Sequence, residues 1–286
     1  MKIIKYFFEY IFVSTFFFIF KIVGYRNASN LGEIIGKIFG PFFRSNSRIQ
    51  NNLKNSNIGN SENDRKKIIN SMWGNYGRIF AEYPYIEKFK NDSLEKYIKI
   101  NGAEVLEDIK KNNKQVVFIS GHFNNFELMA MEIEKHGINV AAIYRPLNNI
   151  FLNKTMEKIR TNYICKKQIK KGRSGTREML ELFRDGSSIA LMIDQRVSEG
   201  ISVNFFNRKC LTTTIPAQLI KKYNCGIVPV YIERKNNINF EISFSKIIEF
   251  EKNHNIENIT LELNLILESM ILKNIDQWIW SHNRWK

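Results

Sequence analysis

Buried strands announce themselves as short apolar runs. The chain carries one at Gln115-Val116-Val117-Phe118-Ile119 and another at Val140-Ala141-Ala142-Ile143. Ser187-Ser188-Ile189-Ala190-Leu191-Met192-Ile193 and Gly226-Ile227-Val228-Pro229-Val230-Tyr231-Ile232 read the same way. Asn239-Phe240-Glu241-Ile242-Ser243-Phe244 alternates instead, as a half-exposed strand does. Apolar residues recur at helical spacing over 126–136 and 257–273. Thr212-Thr213-Thr214-Ile215-Pro216-Ala217 opens another helix, with one threonine as cap and Pro216 in the first turn. Strands alternating with helices predict an α/β fold with a mixed central sheet flanked by helices.

A different pattern opens the chain. Residues 6–23 are almost wholly apolar and aromatic, residues 10–20 carry no charge, and Lys2, Lys5, Lys21 and Arg26 flank them. A helix needs about 20 residues to span the hydrocarbon of a bilayer, so this segment is long enough to cross a membrane or to lie along its surface. No small-residue cleavage pattern follows it, which predicts a retained membrane-anchor helix over 1–24 ahead of a single domain over 25–286. A second apolar stretch, 34–43, contains Lys37 and Pro41 and is too short to span; it suits an amphipathic element beside the anchor. The polar segment 44–67 reads as a loop and helix start.

Charge narrows the partners. A formal net charge of +15 on 286 residues calls for an anionic partner, and nucleic acid, an anionic membrane surface or a phosphorylated substrate would each satisfy it. No zinc-ligand spacing, aromatic RNA-binding strand or helix-turn-helix pattern accompanies the charge, so nucleic acid is set aside and membrane and phosphate remain. The run Lys166-Lys167-Gln168-Ile169-Lys170-Lys171 is either a solvated face or part of an anion-binding patch. Cys165, Cys210 and Cys225 are odd in number and widely spaced, which argues against a disulfide framework or a metal site and fits a reducing compartment. None has a histidine nearby in sequence, so ordinary thiols are expected rather than an acyl-carrying nucleophile.

Chemistry concentrates in Ser120-Gly121-His122-Phe123-Asn124-Asn125-Phe126-Glu127-Leu128, where the first strand turns into the first helix. A neutral imidazole takes a proton from an alcohol when a carboxylate holds its tautomer and stabilises the imidazolium. His122 is the expected base and Glu127, folded back from the first helical turn, its expected partner. Arg145, before Pro146 and just past a strand, is placed to project at the same sheet edge and to bind phosphate through its planar fork. Asp194-Gln195 follows a third strand and either caps the next turn or lines the site. The terminal Trp278, Trp280 and Trp285, with His282, Arg284 and Lys286, form either an interfacial aromatic-basic belt or a final helix burying two tryptophans.

Gly-His-Phe-Asn-Asn-Phe-Glu-Leu resembles the His-x4-Asp/Glu signature of membrane acyltransferases, in the form used by the late acyltransferases of lipid A biosynthesis, the lauroyl and myristoyl transferases. Further blocks follow in that family's order: Trp73-Gly74-Asn75-Tyr76-Gly77-Arg78, Tyr144-Arg145-Pro146-Leu147-Asn148-Asn149, Ile193-Asp194-Gln195 and the tail from Asp276 to Lys286. The resemblance spans nearly the whole chain. Where a Phe-Phe-Gly is usual, Asn204-Phe205-Phe206-Asn207 places Asn207 at the glycine, which puts that loop's geometry in question.

The resemblance implies a glycerolipid-acyltransferase type of fold, no metal and no cofactor. It implies transfer of a fatty acyl chain from acyl carrier protein to a hydroxyl of the Kdo-bearing lipid A precursor, in lipopolysaccharide biosynthesis. His122 and Glu127 would be catalytic, and Arg145, Asn125, Asp194 and Gln195 would contact substrate. The site of action would be the bacterial inner membrane, with the catalytic domain on the cytoplasmic side. The alternatives are a glycerophospholipid acyltransferase working on a lysophospholipid and, from another class, a non-catalytic membrane protein that binds anionic lipid. Asp in place of Glu127 and absence of the terminal block would mark the first; loss of His122 or Glu127 would mark the second.

Overall fold

The computed structural model describes residues 2–91 and 93–286. Five helices come first: α1 (Lys2–Val23), α2 (Tyr25–Phe43), α3 (Asn46–Asn55), α4 (Glu62–Glu82) and the short α5 (Ile86–Lys90). Gly24 separates α1 from α2 with φ 81, a backbone angle that glycine adopts without steric cost. The apolar stretch 34–43 is the second half of α2, and Pro41 falls in its last turn. The polar segment 44–67 holds α3 and the start of α4, where Ser61 and Asp64 form a capping box.

Small residues bring α2 and α4 together backbone to backbone. Ala28, Gly32, Gly36 and Gly40 make a buried row on α2. A Cβ on Gly77 of α4 would stand 1.9 Å from the Gly32 carbonyl oxygen, and one on Gly36 would stand 2.2 Å from that of Trp73. Hydrogen-bonded charges cross the same seam. Arg78 donates to Ser29 Oγ at 3.0 Å and Asn30 Oδ1 at 2.9 Å and pairs with Glu33, while the fully buried Glu82 accepts from Ser29 Oγ at 2.7 Å across the seam and, away from it, from both terminal nitrogens of Arg234, at 2.5 and 2.9 Å. The block Trp73-Gly74-Asn75-Tyr76-Gly77-Arg78 thus serves helix packing.

The strands are β1 (Ile98–Asn101), β2 (Val116–Ser120), β3 (Val140–Tyr144), β4 (Lys167–Lys170), β5 (Ser188–Met192), β6 (Ile201–Phe205), β7 (Arg208–Thr212), β8 (Gly226–Lys235) and β9 (Asn239–Phe244). Seven form one sheet in the order β1-β9-β8-β2-β5-β3-β4, and β6 and β7 make a separate hairpin. From β8 to β4 all neighbours are parallel; β9 runs antiparallel to β8 and parallel to β1. The sheet is therefore mixed and flanked by helices, as the alternation predicts. The intervening helices are α6 (Ala103–Lys111), α7 (Glu127–Lys135), α8 (Ile150–Ile159), α9 (Arg173–Arg184), α10 (Ile215–Tyr223) and α11 (Ile256–Lys273).

Several local expectations change. The lysine run 166–171 becomes edge strand β4, with Ile169 buried and Lys170 exposed, since lysines on an edge strand keep it from pairing with other chains. The tail does bury Trp278 and Trp280, but on irregular chain after a single 3₁₀ turn (Ile275–Gln277) instead of a helix. Thr214 stands at the N-cap of α10 without a side-chain bond; Thr213 Oγ1 instead accepts from the Ile215 amide at 3.3 Å. Asn207, with φ 58, follows Phe206, with φ 50, at the tip of the β6–β7 hairpin. Asparagine tolerates the left-handed region better than other residues with a Cβ, so the tight turn survives without glycine.

α1 is long and apolar enough to cross a membrane, and most of its surface is open. It is nonetheless joined to the rest of the fold. Phe20 is fully buried, its carbonyl accepts from the Tyr85 hydroxyl at 2.5 Å, and Phe17 stacks on Tyr83 with ring centroids 6.3 Å apart. Next to it the C-terminal half of α2 exposes Ile34, Ile38, Phe39, Phe42 and Phe43, the last two 84% and 74% accessible.

Candidate active site

Four adjacent parallel strands, β2, β5, β3 and β4, end at the same edge of the sheet, where α/β proteins bind ligands. Ser120 at the end of β2 faces Met192 at the end of β5, and the Ile193 amide donates to the Ser120 carbonyl at 2.9 Å. Two residues beyond each lie His122 and Asp194. Sheet register therefore sets together two groups that stand 72 positions apart in the chain.

His122 Nδ1 donates to Asp194 Oδ1 at 2.8 Å, and the His122 amide donates to Asp194 Oδ2 at 2.8 Å. Trp278 Nε1 adds a third bond to Oδ2 at 2.9 Å. Desolvation of the buried Asp194 carboxyl works to raise its pKa, but the His122 charge and these donors override it and hold the carboxyl down at about 2. Burial likewise works to lower the His122 pKa, and the Asp194 charge and hydrogen bond turn the balance, so the imidazole titrates above its ordinary value. With Nδ1 committed to Asp194, the free position is Nε2, and the Gln195 side-chain amide nitrogen lies 3.5 Å from it.

Glu127 takes another partner. Arg160 donates to its Oε1 through Nε at 2.8 Å and through Nη2 at 2.6 Å, and the Tyr83 hydroxyl lies 3.4 Å from the same oxygen. Among the described residues, the carboxylate hydrogen-bonded to His122 is Asp194 and not Glu127, which acts on the imidazole only through its charge, raising its pKa. The turn explains why. Asn124 adopts φ 42, and the ring brought against His122 is that of Phe126, with centroids 4.9 Å apart, while Glu127 points toward the π-helical turn Arg160–Ile164. Single π-helical turns occur often at functional sites, and here one aims the guanidinium.

A cavity of about 570 Å³ opens beside His122. Ser120, Phe126, Met129, Ala130 and Ile133 line it from β2 and α7, and Ala142, Ala190 and Met192 line it from β3 and β5. In register, Phe118 faces Ala190 and Ala190 faces Ala142, so small side chains on neighbouring strands leave an apolar slot. Glu127, Arg160 and Gln195 also line the cavity, as do Arg145, Lys171, Arg44 and Arg48. Asn125 does not line it: that residue is fully buried, with its amide 3.5 Å from Glu82 Oε2. Asp194, expected against substrate, is buried behind the histidine.

Behind Asp194 the terminal block works as a brace. Phe123 and Trp278 form an antiparallel bridge, and the Asn124 amide donates to the Gln277 carbonyl at 3.3 Å. Arg284 is fully buried and donates to the Leu211 carbonyl at 2.7 Å and Thr212 Oγ1 at 2.9 Å. All three cysteines are buried, and burial pushes the thiols of Cys165 and Cys225 up to about 11, which disfavours a thiolate at neutral pH. Among the described residues no group of His, Cys, Asp and Glu is placed to hold a metal ion.

Several known proteins are similar to this chain. A Haemophilus influenzae protein named lipid A biosynthesis acyltransferase is 25% identical over 232 residues, covering 79% of this chain and 72% of its own length. The lipid A biosynthesis palmitoleoyltransferase of Escherichia coli is 24% identical over 266 residues, 90% of this chain and 84% of that one. Among solved structures, the 1-acyl-sn-glycerophosphate acyltransferase PlsC of Thermotoga maritima aligns with a TM-score of 0.42 at 13% identity, over 89% of this chain and 99% of that one. The family model for bacterial lipid A biosynthesis acyltransferases matches residues 1–286, and the chain belongs to that family.

Proposed function

We propose that this enzyme moves a fatty acyl chain from acyl carrier protein to a hydroxyl of the Kdo-bearing lipid A precursor, with His122 as general base. The observation that supports it most is the His122 imidazole, oriented by Asp194 through Nδ1 so that Nε2 is left for a proton, in the lining of a cavity that also carries apolar and cationic side chains. The acceptor hydroxyl gives its proton to Nε2 as its oxygen attacks the thioester carbonyl. The carbonyl oxygen takes up negative charge, and the tetrahedral intermediate collapses with loss of the carrier thiolate, which takes a proton. Asp194 keeps the proton on Nδ1 and stabilises the imidazolium. The Gln195 amide, 3.5 Å from Nε2, is the donor we assign to the oxyanion. Glu127 adds negative potential at the imidazole, and Arg160 fixes where that charge sits. The slot between α7 and the sheet receives the acyl chain, and α1 anchors the chain in the inner membrane with the catalytic face toward the cytoplasm.

The test is transfer of labelled acyl chains from acyl carrier protein, in membranes carrying wild type, His122→Ala or Gln195→Leu. The acceptors are the lipid A precursor and lysophosphatidic acid. The expected result is transfer to the lipid A precursor alone, reduced about 10²-fold or more in His122→Ala and about 10²-fold in Gln195→Leu. Transfer only to the lysolipid would replace the acceptor, and unchanged activity in His122→Ala would remove the mechanism. Lauroyl or myristoyl is the proposed donor chain. A palmitoleoyl chain, named for the Escherichia coli relative, is the rival in the same assay.

A further inference from the structure

The cavity is unevenly charged. Arg44, Arg48, Arg145 and Lys171 line it, and none of the four has a hydrogen bond or ion pair to a described carboxylate; the one carboxylate in the lining, Glu127, is held by Arg160. Four cations lining one cavity repel one another, and an anion bound among them would relieve that repulsion. They also arrive from separate parts of the fold. Arg145 and Lys171 follow the ends of the neighbouring strands β3 and β4, paired up to Tyr144 and Lys170. Arg44 caps the C-terminus of α2, directly after the exposed Phe42 and Phe43. Arg48 rides on α3, which is fixed in place: Ile49 and Leu53 are fully buried, and Asn52 donates to the carbonyls of Trp280 and His282 at 2.7 and 2.5 Å.

We infer that Arg44 and Arg48, together with Arg145 and Lys171, form a binding site for a phosphoryl group on the acceptor lipid's headgroup. The inference rests on the acyl-transfer reading above. The rim belongs to the acceptor because its cations share a cavity with His122, where the acceptor hydroxyl must sit, and because Arg44 continues from the apolar end of α2. Planar guanidinium forks suit phosphoryl oxygens, and two helices and two strands holding four cations fix where the headgroup stands relative to Nε2.

The experiment measures initial rates with full-length enzyme in defined detergent micelles. It compares wild type, Arg44→Glu/Arg48→Glu and Arg44→Lys/Arg48→Lys, using the lipid A precursor before and after phosphatase treatment. With the intact acceptor, charge reversal is expected to raise the acceptor KM by tenfold or more with kcat within about twofold, and the lysine pair to recover most of the loss. With the phosphatase-treated acceptor, wild type and the reversed variant are expected to share one KM. A reversal effect undiminished on the stripped acceptor would overturn the phosphoryl assignment in favour of the sugar carboxylates. One confined to the KM for acyl carrier protein would hand the rim to the donor, and no change in either KM would remove the site. Wild-type activity on the intact acceptor shows separately whether the acyl-transfer reading holds.

Discussion

At the scale of single residues, the central relation is between His122 and Asp194. A base must be neutral to accept a proton, and the Asp194 carboxylate favours the protonated imidazole, so activity is expected to fall as pH drops through a His122 pKa lying above the ordinary histidine value. Asp194→Asn removes the charge and leaves the burial, which moves that acidic limb to lower pH while slowing the reaction by about 10²-fold or more, since the wrong tautomer becomes accessible. A pH profile of kcat/KM for the two proteins checks the sign, and a limb that moves upward or stays put would refute it. The pair also sets a stability window. His122 contributes at pH below its unfolded value and loses that contribution as pH rises through its raised folded value; Asp194 contributes above its ordinary value and loses it as pH falls toward about 2. The placement of His122, Arg145 and Gln195 along the cavity was legible from sequence because each follows a strand-like run. The pairing of His122 was not, because local spacing favoured Glu127, and only the register of two strands 72 positions apart reveals Asp194 on the imidazole. The available signal was that His122 and Asp194 each stand two residues past a buried apolar run. Arg160 and Tyr83 had none, since neither ends a strand nor belongs to a recognisable block.

At the scale of elements, helix periodicity gave α7 and α11 nearly to the residue, and continuous apolar runs gave β2, β3, β5 and β8. β1, β4, β6 and β7 escaped because they are short and carry too many polar residues on their open faces. The packing of α2 on α4 escaped too, although Gly32, Gly36 and Gly40 repeat every fourth position. That seam has a sharp consequence for mutation. Gly77→Leu drives a side chain into the Gly32 carbonyl, and because the obstacle is backbone no rotamer relieves it. The expected cost is about 3 kcal/mol or more, read as a lowered thermal midpoint in detergent. Ala at Gly77 should be damaging as well, for its Cβ already meets the clash, whereas substitution at Gly172, with nothing within 4 Å, should affect backbone strain alone. A Gly77→Leu protein as stable as wild type would mean that α2 and α4 separate freely.

At the scale of the molecule, apolar surface collects where the chain begins and positive charge collects at the cavity beside it. α1 was legible as a long apolar helix, but not its bonds into the core: the Phe20 carbonyl accepts from Tyr85, between α4 and α5, so a cut at residue 24 severs packed structure. The tail is the other long-range tie, since Trp278 and Arg284 reach Asp194 and the β6–β7 hairpin from the end of the chain. Both ties join the His122 edge of the sheet and the apolar N-terminal helices into one packed structure. The exposed end of α2 runs straight into Arg44 in the cavity lining, and the proposed function then changes what substrate concentration means. Under the proposed function, the acceptor is expected to arrive by sliding within a film rather than by diffusing through a volume, so crowding among neighbouring lipids would govern turnover, and diluting the whole suspension with buffer would leave each encounter as frequent as before.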